Sequence, residues 1–131
     1  MVTLICGLPN AGKTTYSKHF ENVVHFDECP QPRHKIFEEI VAKAEGDVVA
    51  EGVCNSKRSR AMFLHAIRHK DERKVCIWID TPLEECIRRE NAYRKRPVSM
   101  VEEHGRRFEP PTMAEGWDEI IRITAEDTSA F

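Results

Sequence analysis

The sequence predicts a three-layer α/β fold with a mainly parallel central sheet of about five strands, flanked by helices. Three observations support this fold class. Short apolar segments alternate with amphipathic ones, the apolar segments are hydrophobic on both faces, and the chain has 131 residues. Strands buried on both faces are typical of parallel sheets covered by helices. The length is that of one domain, so residues 1–131 are expected to fold as a single unit.

Five segments have the composition of strands. They are residues 2–6, 23–26, 48–50, 75–79 and, as a last short strand, 119–124. Val and Ile are frequent in these segments, and β-branched side chains favour an extended backbone. Helical segments between them would connect parallel neighbours in one sheet.

Amphipathic segments follow the second and third predicted strands. Apolar side chains recur at helical spacing over residues 36–44, after Pro32, and over residues 62–67. This spacing places the apolar side chains on one face of a helix. Asn55 and Ser56 are candidate caps for the second of these helices.

Two capping signatures follow the fourth predicted strand. In the sequence T-P-L-E, Thr81 is a capping residue before a first-turn proline, which predicts a helix that begins at Pro82. Residues 99–102 repeat the signature as S-M-V-E. Gly105 and two later prolines interrupt the segment that leads to the last predicted strand.

Composition and charge exclude several classes of protein. Apolar residues make up 40% of the chain and charged residues 32%, which argues against disorder or low-complexity structure. No apolar run approaches the roughly 20 residues of a membrane span, and the start lacks a cationic leader. Five widely spaced cysteines without a C-x-x-C pair favour free thiols in the cytoplasm, where the protein is expected to reside. A net charge of −2 argues against non-specific coating of nucleic acid but allows a local cationic groove.

A glycine-rich motif occupies residues 7–14, which read G-L-P-N-A-G-K-T and match the phosphate-binding pattern G-x-x-x-x-G-K-[ST]. Gly7 and Gly12 allow a sharp turn that brings backbone N–H groups to phosphate oxygens. Lys13 is expected to reach the β- and γ-phosphates as a catalytic residue, and the Thr14 hydroxyl to bind Mg²⁺. The other nucleotide-binding residues predicted here are Asn10, Ala11 and Thr15. The motif therefore predicts a nucleoside triphosphate site, with ATP and Mg²⁺ as cofactors.

Polar residues that follow the next strands are candidates for binding a phosphoryl acceptor, because open α/β sheets place their chemistry beyond the carboxyl ends of the strands. Asp27 is the predicted general base or orienting carboxylate for an attacking hydroxyl. Glu28, Glu51 and Asn55 are predicted acceptor-binding residues. The alternative for Asp27 and Glu28 is a turn-capping role, and Glu51 is either a turn acid or a group that orients Mg²⁺, water or the acceptor.

Two basic clusters provide candidate contacts to phosphate. The first cluster consists of Arg88, Arg89, Arg94, Lys95 and Arg96. Guanidinium groups that close over a triphosphate neutralise charge on the transferring oxygens, so Arg94 is the predicted catalytic arginine and Arg89 a predicted nucleotide-binding residue. The second cluster, Lys57, Arg58 and Arg60, begins the helix after the third strand. These cations either meet water or line a route for polymer phosphates, with Arg58 as the predicted acceptor contact.

These residues carry a resemblance to a known family. Over nearly its whole length the chain resembles the kinase domain of 5′-hydroxyl polynucleotide kinases, within the wider group of small P-loop kinases. Beyond the loop at 7–14, the resemblance rests on residues 48–60, N-A-Y-R at 91–94, P-V-S at 97–99 and R-F-E-P-P-T-M-A-E-G at 107–116. It implies the three-layer P-loop kinase fold with an arginine-bearing lid.

The resemblance also implies roles for individual residues. Asp27 matches the family's catalytic aspartate, Arg94 matches its lid arginine, and Glu51 takes the place of an acid on the acceptor side. Lys13 and Thr14 match the loop lysine and the magnesium-site hydroxyl.

The sequence departs from the family at two points. Phage-type enzymes have an arginine three residues after the catalytic aspartate that grips the acceptor phosphate, whereas this chain has Pro30 there, with Arg33 the nearest cation after it. Acceptor binding is therefore expected to differ. The D-x-D-G-T phosphatase signature is absent, so no 3′-phosphatase activity is expected.

The function predicted is an ATP-dependent transfer of the γ-phosphate to a hydroxyl of a nucleic acid, DNA or RNA, with the 5′-OH end of a polynucleotide favoured. Alternatives are a kinase of a hydroxymethylated base in DNA, since the string at 107–116 also occurs in such kinases, and a kinase of a nucleoside or metabolite alcohol. A non-catalytic nucleotide-binding module is the remaining alternative. Basic residues at 57–60 and 88–96 favour a polymer, whereas the small size and acidic balance favour a metabolite.

Overall fold

Five parallel strands form one sheet in the computed structural model, which describes residues 1–52 and 54–124. The strands are β1 (Val2–Gly7), β2 (Val23–His25), β3 (Val48–Glu51), β4 (Lys74–Ile79) and β5 (Glu119–Ile123). Their order across the sheet is β2-β3-β1-β4-β5, and each neighbouring pair runs parallel. The predicted fold class is confirmed.

Helices cover both faces of this sheet. They are α1 (Lys13–Ser17), α2 (Arg33–Lys43), α3 (Lys57–Ala66), α4 (Leu83–Tyr93) and α5 (Val98–Arg107), with short 3₁₀ turns at Phe26–Glu28 and Met113–Glu115. Helices α2 and α3 pack on one face, and α1, α4 and α5 pack on the other. Alternation along β1 explains the division, because Leu4 and Cys6 point to the first face and Ile5 to the second.

A row of aromatic rings fills the core on the α2/α3 face. Phe37 of α2 lies 6.0 Å from Phe63 of α3, and Phe63 lies 6.4 Å from Trp117, measured between ring centroids. All three are buried, and burying a side chain of this size contributes roughly 1.5–3 kcal/mol. Trp117 follows α5 in sequence, so the chain leaves the α5 face and packs against α3 before it forms β5.

The predicted strands agree with the structure except at their ends. Strand β2 stops at His25, because Phe26 turns into the core and packs edge-on against Phe37 at a centroid distance of 5.5 Å. Strand β3 extends one residue further than predicted and ends in Glu51. Strand β1 also extends one residue further, to Gly7, β4 begins one residue earlier, at Lys74, and β5 ends one residue earlier, at Ile123. The differences at β2 and β3 lie at the edge of the sheet where polar candidates were expected.

The cap predicted at Thr81 is wrong. Pro82 occupies the N-cap position, and α4 begins at Leu83. The Thr81 hydroxyl is engaged elsewhere, since its Oγ1 donates to the Ala11 carbonyl at 2.7 Å. Thr81 therefore supports the glycine-rich loop rather than the helix that follows it.

The capping signature predicted at residues 99–102 is also wrong. Helix α5 begins at Val98, because Pro97, with φ of −62°, already directs the chain into the helix. Gly105 does not interrupt the helix, which continues to Arg107. A Cβ at Gly105 would lie 2.8 Å from a Leu83 methyl carbon, so glycine allows α5 to approach α4 closely.

The five cysteines are buried and free. Cys6 and Cys76 lie on neighbouring strands with their Sγ atoms 3.8 Å apart. The longest helices in the described ranges have 11 residues, about half the length needed to cross a bilayer, so none of them could span a membrane.

Candidate active site

The glycine-rich loop joins β1 to α1 at the carboxyl end of the sheet. Gly12 has φ of 108°, a left-handed conformation that glycine adopts without strain. Gly7 lies so close to β4 that a Cβ there would be 2.7 Å from the Ile79 carbonyl oxygen. Both positions require glycine, as the motif predicted, and the resulting backbone is of the type that cradles phosphate.

Side chains from two remote segments bind this loop. The Nη1 of Arg89, on α4, donates to the Asn10 carbonyl at 2.7 Å, and its Nε donates to Glu85 at 3.2 Å. On the opposite side, the backbone N–H of Gly7 donates to Asn55 Oδ1 at 3.2 Å. Arg89 and Asn55 were predicted to bind nucleotide and acceptor, and the structure places both in direct contact with the loop backbone.

Lys13 lies inside the loop. Its Nζ donates to the carbonyls of Gly7 at 2.7 Å and Leu8 at 3.2 Å. Burial lowers the pKa of Lys13, and the nearby carboxylates of Glu51 and Asp27 oppose that shift. Phosphate oxygens would compete with the two carbonyls for the ammonium donors, because charge-assisted hydrogen bonds are stronger than neutral ones.

A cleft of about 370 Å³ opens beside the loop. The loop and α1 contribute Lys13, Thr14 and Thr15 to its wall, while Asp27 and Glu51 come from the ends of β2 and β3. The carboxylates face the loop because parallel strands end at the same edge of the sheet. The structure therefore brings four predicted residues, Lys13, Thr14, Asp27 and Glu51, into one cleft.

Glu51 is held in a fixed position at the base of this cleft. It is 5% exposed, and its Oε2 lies 2.8 Å from His25 Nδ1. A buried carboxylate needs such a hydrogen-bond partner, since desolvation otherwise disfavours it. His25 was not predicted as a site residue. Its place two residues before Asp27 was the only sequence signal for it.

The oxygen donors of the cleft fit Mg²⁺ bound together with a nucleotide. Thr14 offers a hydroxyl, and Asp27 and Glu51 offer carboxylates. Magnesium is usually bound by one or two carboxylates plus substrate phosphates. Within residues 1–52 and 54–124, no group of three His, Cys, Asp or Glu side chains converges to hold a metal ion. The described residues of the cleft therefore do not form a metal centre from side chains alone, and Mg²⁺ would need phosphate oxygens as further ligands.

The segment between α4 and α5 forms the other wall of the cleft. Tyr93, Lys95 and Arg96 line it. Arg94 ends α4 with a left-handed backbone, at φ of 55°, and its side chain is exposed. The described lining of the cleft thus includes Lys95 and Arg96 but not Arg94, the predicted lid arginine.

Glu90 joins that segment to the loop. Its buried carboxylate accepts hydrogen bonds from Asn10 Nδ2 at 3.1 Å and from the backbone N–H groups of Lys95 and Arg96 at 2.7 and 3.0 Å. It also pairs with Arg96 Nε at 3.3 Å. Burial opposes ionisation of Glu90, but these donors outweigh it and lower its pKa. Glu90 was not predicted as a site residue, because one acid among cations resembles an ordinary surface ion pair.

A groove of about 490 Å³ adjoins the cleft, and we call it the acceptor-side groove. The residues that line it are Phe26, His34, Asn55, Ser56, Ser59, His104 and Arg107. Ser56, not Asn55, is the N-cap of α3, and it forms a reciprocal capping box with Ser59. Burial lowers the pKa of His104, and the charges of Lys13, Arg96 and Arg107 lower it further. His104 therefore experiences the positive electrostatic potential of cations in both the cleft and the groove.

The other two predicted acceptor-binding residues, Arg58 and Glu28, lie outside the cleft and the acceptor-side groove. Arg58 is exposed and lines an extension of the groove, about 290 Å³, together with Glu38 and Met62. Glu28 is exposed in the 3₁₀ turn next to Asp27, and the described linings of cleft and groove include Asp27 but not Glu28.

Both alternatives predicted for Arg60, contact with water and contact with polymer phosphates, are wrong. Its side chain is fully buried, and Nε and Nη2 donate to the Glu115 carboxylate at 2.6 and 3.2 Å. Its Nη1 donates to the Cys54 carbonyl at 3.0 Å. Glu115 also accepts from the backbone N–H of Thr112 at 2.8 Å. The ion pair attaches residues 107–116 to α3.

Several solved structures, kinases among them, share this architecture. A gluconokinase from Sinorhizobium meliloti 1021 is 13% identical, with a TM-score of 0.75 over 98% of this chain and 85% of that chain. Kti12 from Chaetomium thermophilum, in complex with ADP-AlF3, is 13% identical, with a TM-score of 0.75 over 99% and 94%. The APS kinase CysC from Mycobacterium tuberculosis, in complex with AMPPNP and APS, is 16% identical, with a TM-score of 0.65 over 98% and 92%.

At these identities the likeness shows the fold alone, and it confirms the α/β fold with a five-stranded parallel sheet flanked by helices. No family model and no curated protein matches the sequence. The narrower resemblance to polynucleotide kinases stays a prediction.

Proposed function

We propose that this chain is an ATP- and Mg²⁺-dependent kinase that transfers the γ-phosphoryl group to a hydroxyl of a nucleic acid, with the 5′-hydroxyl of a strand end as the favoured acceptor. The observation that carries the proposal is the cleft in which Lys13 and Thr14 of the loop face Asp27 and Glu51. A phosphate-binding loop opposite a carboxylate is the arrangement that phosphoryl transfer to a hydroxyl requires.

The residues on both walls of the cleft bind and orient the nucleotide. Backbone N–H groups of the loop and the ammonium of Lys13 hold the phosphates from one side. Lys95 and Arg96 approach from the other wall, so that charge on the transferring oxygens is neutralised from two directions. When Mg²⁺ is bound, Thr14 and a cleft carboxylate hold it, and it neutralises charge on the phosphates.

Asp27 acts on the acceptor. Its carboxylate accepts the proton of the attacking hydroxyl as the new O–P bond forms and the bond from the γ-phosphorus to the bridging oxygen breaks. Glu51 lies deeper and is held by His25, so it supports the polar environment of the reacting groups. Positioning and charge neutralisation supply most of the acceleration in this class of reaction.

Two observations favour a nucleic acid as the acceptor. The acceptor-side groove continues into the extension at Arg58, since both are lined by His34, Ser56 and Ser59, which provides room beyond one nucleoside. The string at 107–116, on which the family resemblance rests, contributes Arg107 to that groove. A small-molecule alcohol is the second candidate, favoured by the gluconokinase and APS kinase among the neighbours.

Transfer from γ-labelled ATP to a panel of acceptors tests the proposal. The panel contains 5′-hydroxyl DNA, 5′-hydroxyl RNA, a duplex with a hydroxymethylated base, nucleosides and a sugar alcohol, and the labelled atom is mapped in each product. Label on the 5′ end of an oligonucleotide is the expected result. Label on small alcohols alone would contradict the nucleic acid acceptor, and ATP binding without transfer to any acceptor would contradict the kinase.

A further inference from the structure

We propose that His25 is a positioning residue for the Mg²⁺-bound nucleotide: it occupies one oxygen of Glu51, leaves the other to the cleft, and so favours Mg²⁺ over Ca²⁺. The inference rests on the proposed function and deepens it at the metal. It assigns a role to a side chain outside the described lining of the cleft, for which the sequence predicted none.

The ends of two neighbouring strands bring these side chains together. His25 and Glu51 are the last residues of β2 and β3, and they lie opposite each other in the parallel register. Gly52 allows the strand ends to approach closely, since a Cβ there would lie 2.2 Å from the Phe26 Cβ. The backbone of His25 is held as well, because its carbonyl accepts from Cys29 Sγ at 3.4 Å. The contact between the two side chains therefore follows from the backbone around it.

The hydrogen bond between His25 and Glu51 has one direction. A carboxylate can only accept, so His25 Nδ1 donates to Glu51 Oε2 across 2.8 Å. An imidazole can donate from Nδ1 whether the ring is neutral or charged. The contact therefore holds Oε2 in either protonation state of the ring.

The other oxygen of Glu51 opens to the cleft. Within residues 1–52 and 54–124, His25 is the one hydrogen-bond partner of this carboxylate. Asn55 Nδ2 is the one fully buried side-chain polar atom without a partner in the same ranges, so Oε1 is not fully buried. Since Glu51 lines the cleft together with Lys13 and Thr14, Oε1 is the oxygen that a ligand there can use.

Glu51 is also the carboxylate that the proposed mechanism leaves for the metal, because Asp27 acts on the acceptor. Burial lowers the pKa of Lys13, and the charge of Glu51 opposes this shift more than that of Asp27 does. The carboxylate of Glu51 therefore lies close to the ammonium that binds phosphate, which is where a nucleotide-bound metal ion would be held.

A carboxylate that offers a single oxygen suits Mg²⁺ better than Ca²⁺. Mg²⁺ requires near-octahedral coordination, whereas Ca²⁺ takes roughly 6–8 oxygen ligands and accepts two from one carboxylate. With Oε2 bound to His25, Glu51 offers Oε1 alone, in an orientation that the imidazole holds. Partners that orient a metal-binding side chain typically change metal affinity by about 10–100-fold. The loss of His25 should therefore weaken Mg²⁺ binding and release Oε2 for Ca²⁺.

Nucleotide binding tests this role without turnover. Isothermal titration measures the affinity for AMPPNP, an ATP analogue that does not transfer its γ-phosphoryl group, with Mg²⁺, with Ca²⁺ and with EDTA. His25→Leu removes the donor, whereas His25→Asn keeps an N–H on an atom bonded to Cγ, as Nδ1 is. His65→Leu, at an exposed position of α3, is the matched control. His25→Ala replaces His25→Leu if the latter does not fold.

We expect His25→Leu to weaken binding about tenfold with Mg²⁺ and to leave binding in EDTA nearly unchanged. With Ca²⁺ the affinity should stay the same or rise, so that the ratio of the Mg²⁺ to the Ca²⁺ affinity falls about tenfold or more. His25→Asn should remain close to the wild type, and His65→Leu should equal it.

A double-mutant cycle tests whether His25 acts through Glu51. Glu51→Gln should weaken binding of AMPPNP with Mg²⁺, and the addition of His25→Leu should then have little further effect. Additive losses would mean that His25 acts independently of this carboxylate and would contradict the proposal.

The remaining outcomes overturn the inference. An equal loss with Mg²⁺ and in EDTA would assign His25 to the phosphate-binding loop or to the fold. An equal loss with Mg²⁺ and Ca²⁺ would remove the preference between the metals, and an unchanged affinity with Mg²⁺ would remove the positioning role altogether.

These measurements keep the inference separate from the proposed function. If the variants respond as expected but the protein transfers no phosphate to any acceptor, the kinase alone is contradicted. If the protein phosphorylates 5′-hydroxyl ends but its affinity for AMPPNP with Mg²⁺ does not respond to His25→Leu, the role of His25 alone is contradicted.

Discussion

The nucleotide side and the acceptor side of the site are held in place by different means. On the nucleotide side, Thr81, Arg89 and Glu90 form hydrogen bonds with loop residues that lie 70, 79 and 80 positions away in the chain. On the acceptor side, His34 and Arg107 are exposed side chains around an open groove. Buried polar contacts are rigid, whereas exposed residues on a fixed scaffold can change without disturbing the fold. In the proposed kinase, phosphate binding therefore depends on a loop that buried hydrogen bonds hold rigid. The choice of acceptor depends on a few exposed residues.

Asp27 lies between the two sides, and its removal should have the largest effect. We expect Asp27→Asn to lower kcat by about 10²–10⁴-fold, because the acceptor hydroxyl loses its proton acceptor. ATP binding, measured by isothermal titration, should change little, since the loop is untouched. A parallel loss of ATP affinity would assign Asp27 to the nucleotide side.

Glu28→Gln is the companion variant, because it alters the adjacent carboxylate outside the described lining of the cleft. If Glu28 contributes to acceptor binding, the variant should raise the acceptor KM and keep kcat. A loss of kcat as large as that of Asp27→Asn would show that the two acids act as a pair.

The sequence predicted the loop and the sheet well, because both depend on local patterns. The motif at residues 7–14 specifies its own backbone conformation through Gly7 and Gly12, and buried parallel strands are apolar at consecutive positions. Glu90 could not be predicted in the same way, since its importance comes from Asn10, far away in sequence. The position of Arg94 outside the described cleft lining depends on where α4 ends, which no pattern in the segment specifies.

Glu115 is a half-buried acid on the acceptor side, and it should matter for stability. We expect Glu115→Ala to lower the free energy of unfolding by about 3 kcal/mol or more, because fully buried Arg60 loses its partner. Glu119→Ala, which removes an exposed ion pair with Arg73, should cost less than about 1 kcal/mol. Denaturant unfolding measures both. Equal losses in the two variants would show that Glu115 stabilises the protein no more than an exposed ion pair does.

Low pH should weaken the ion pair between Arg60 and Glu115. Burial opposes ionisation of Glu115, but the hydrogen bonds from Arg60, Thr112 and Trp117 and the charge of Arg60 together outweigh it and lower the pKa below the ordinary value of 4.5. A lowered carboxylate pKa contributes stability that is complete above pH 4.5 and is lost as pH falls through the folded-state value. The difference in unfolding free energy between the wild type and Glu115→Gln should therefore stay constant above pH 4.5 and shrink as the pH falls below it. A difference that stays constant on acidification would exclude this ionisation as its source.

Glu90 is the buried acid on the nucleotide side, and its effect should be confined to ATP. We expect Glu90→Gln to raise the KM for ATP about tenfold, because the segment with Lys95 and Arg96 loses its charged anchor at the loop. The acceptor KM should change little. Glu84→Gln, on an exposed position of the same helix, is the control. A comparable rise in the acceptor KM would mean that Glu90 also positions residues on the acceptor side of the site.

The N-cap of α3 provides the smallest test, at the groove end of that helix. Ser56 Oγ accepts from the backbone N–H of Ser59 at 3.0 Å, and we expect Ser56→Ala to lower the free energy of unfolding by about 1 kcal/mol. Ser99→Ala is the matched control, because the sequence predicts a cap there but α5 begins one residue earlier. Its effect should stay within about 0.5 kcal/mol. Denaturant midpoints measure both effects, and an equal loss in the two variants would mean that Ser99 also stabilises a helix start.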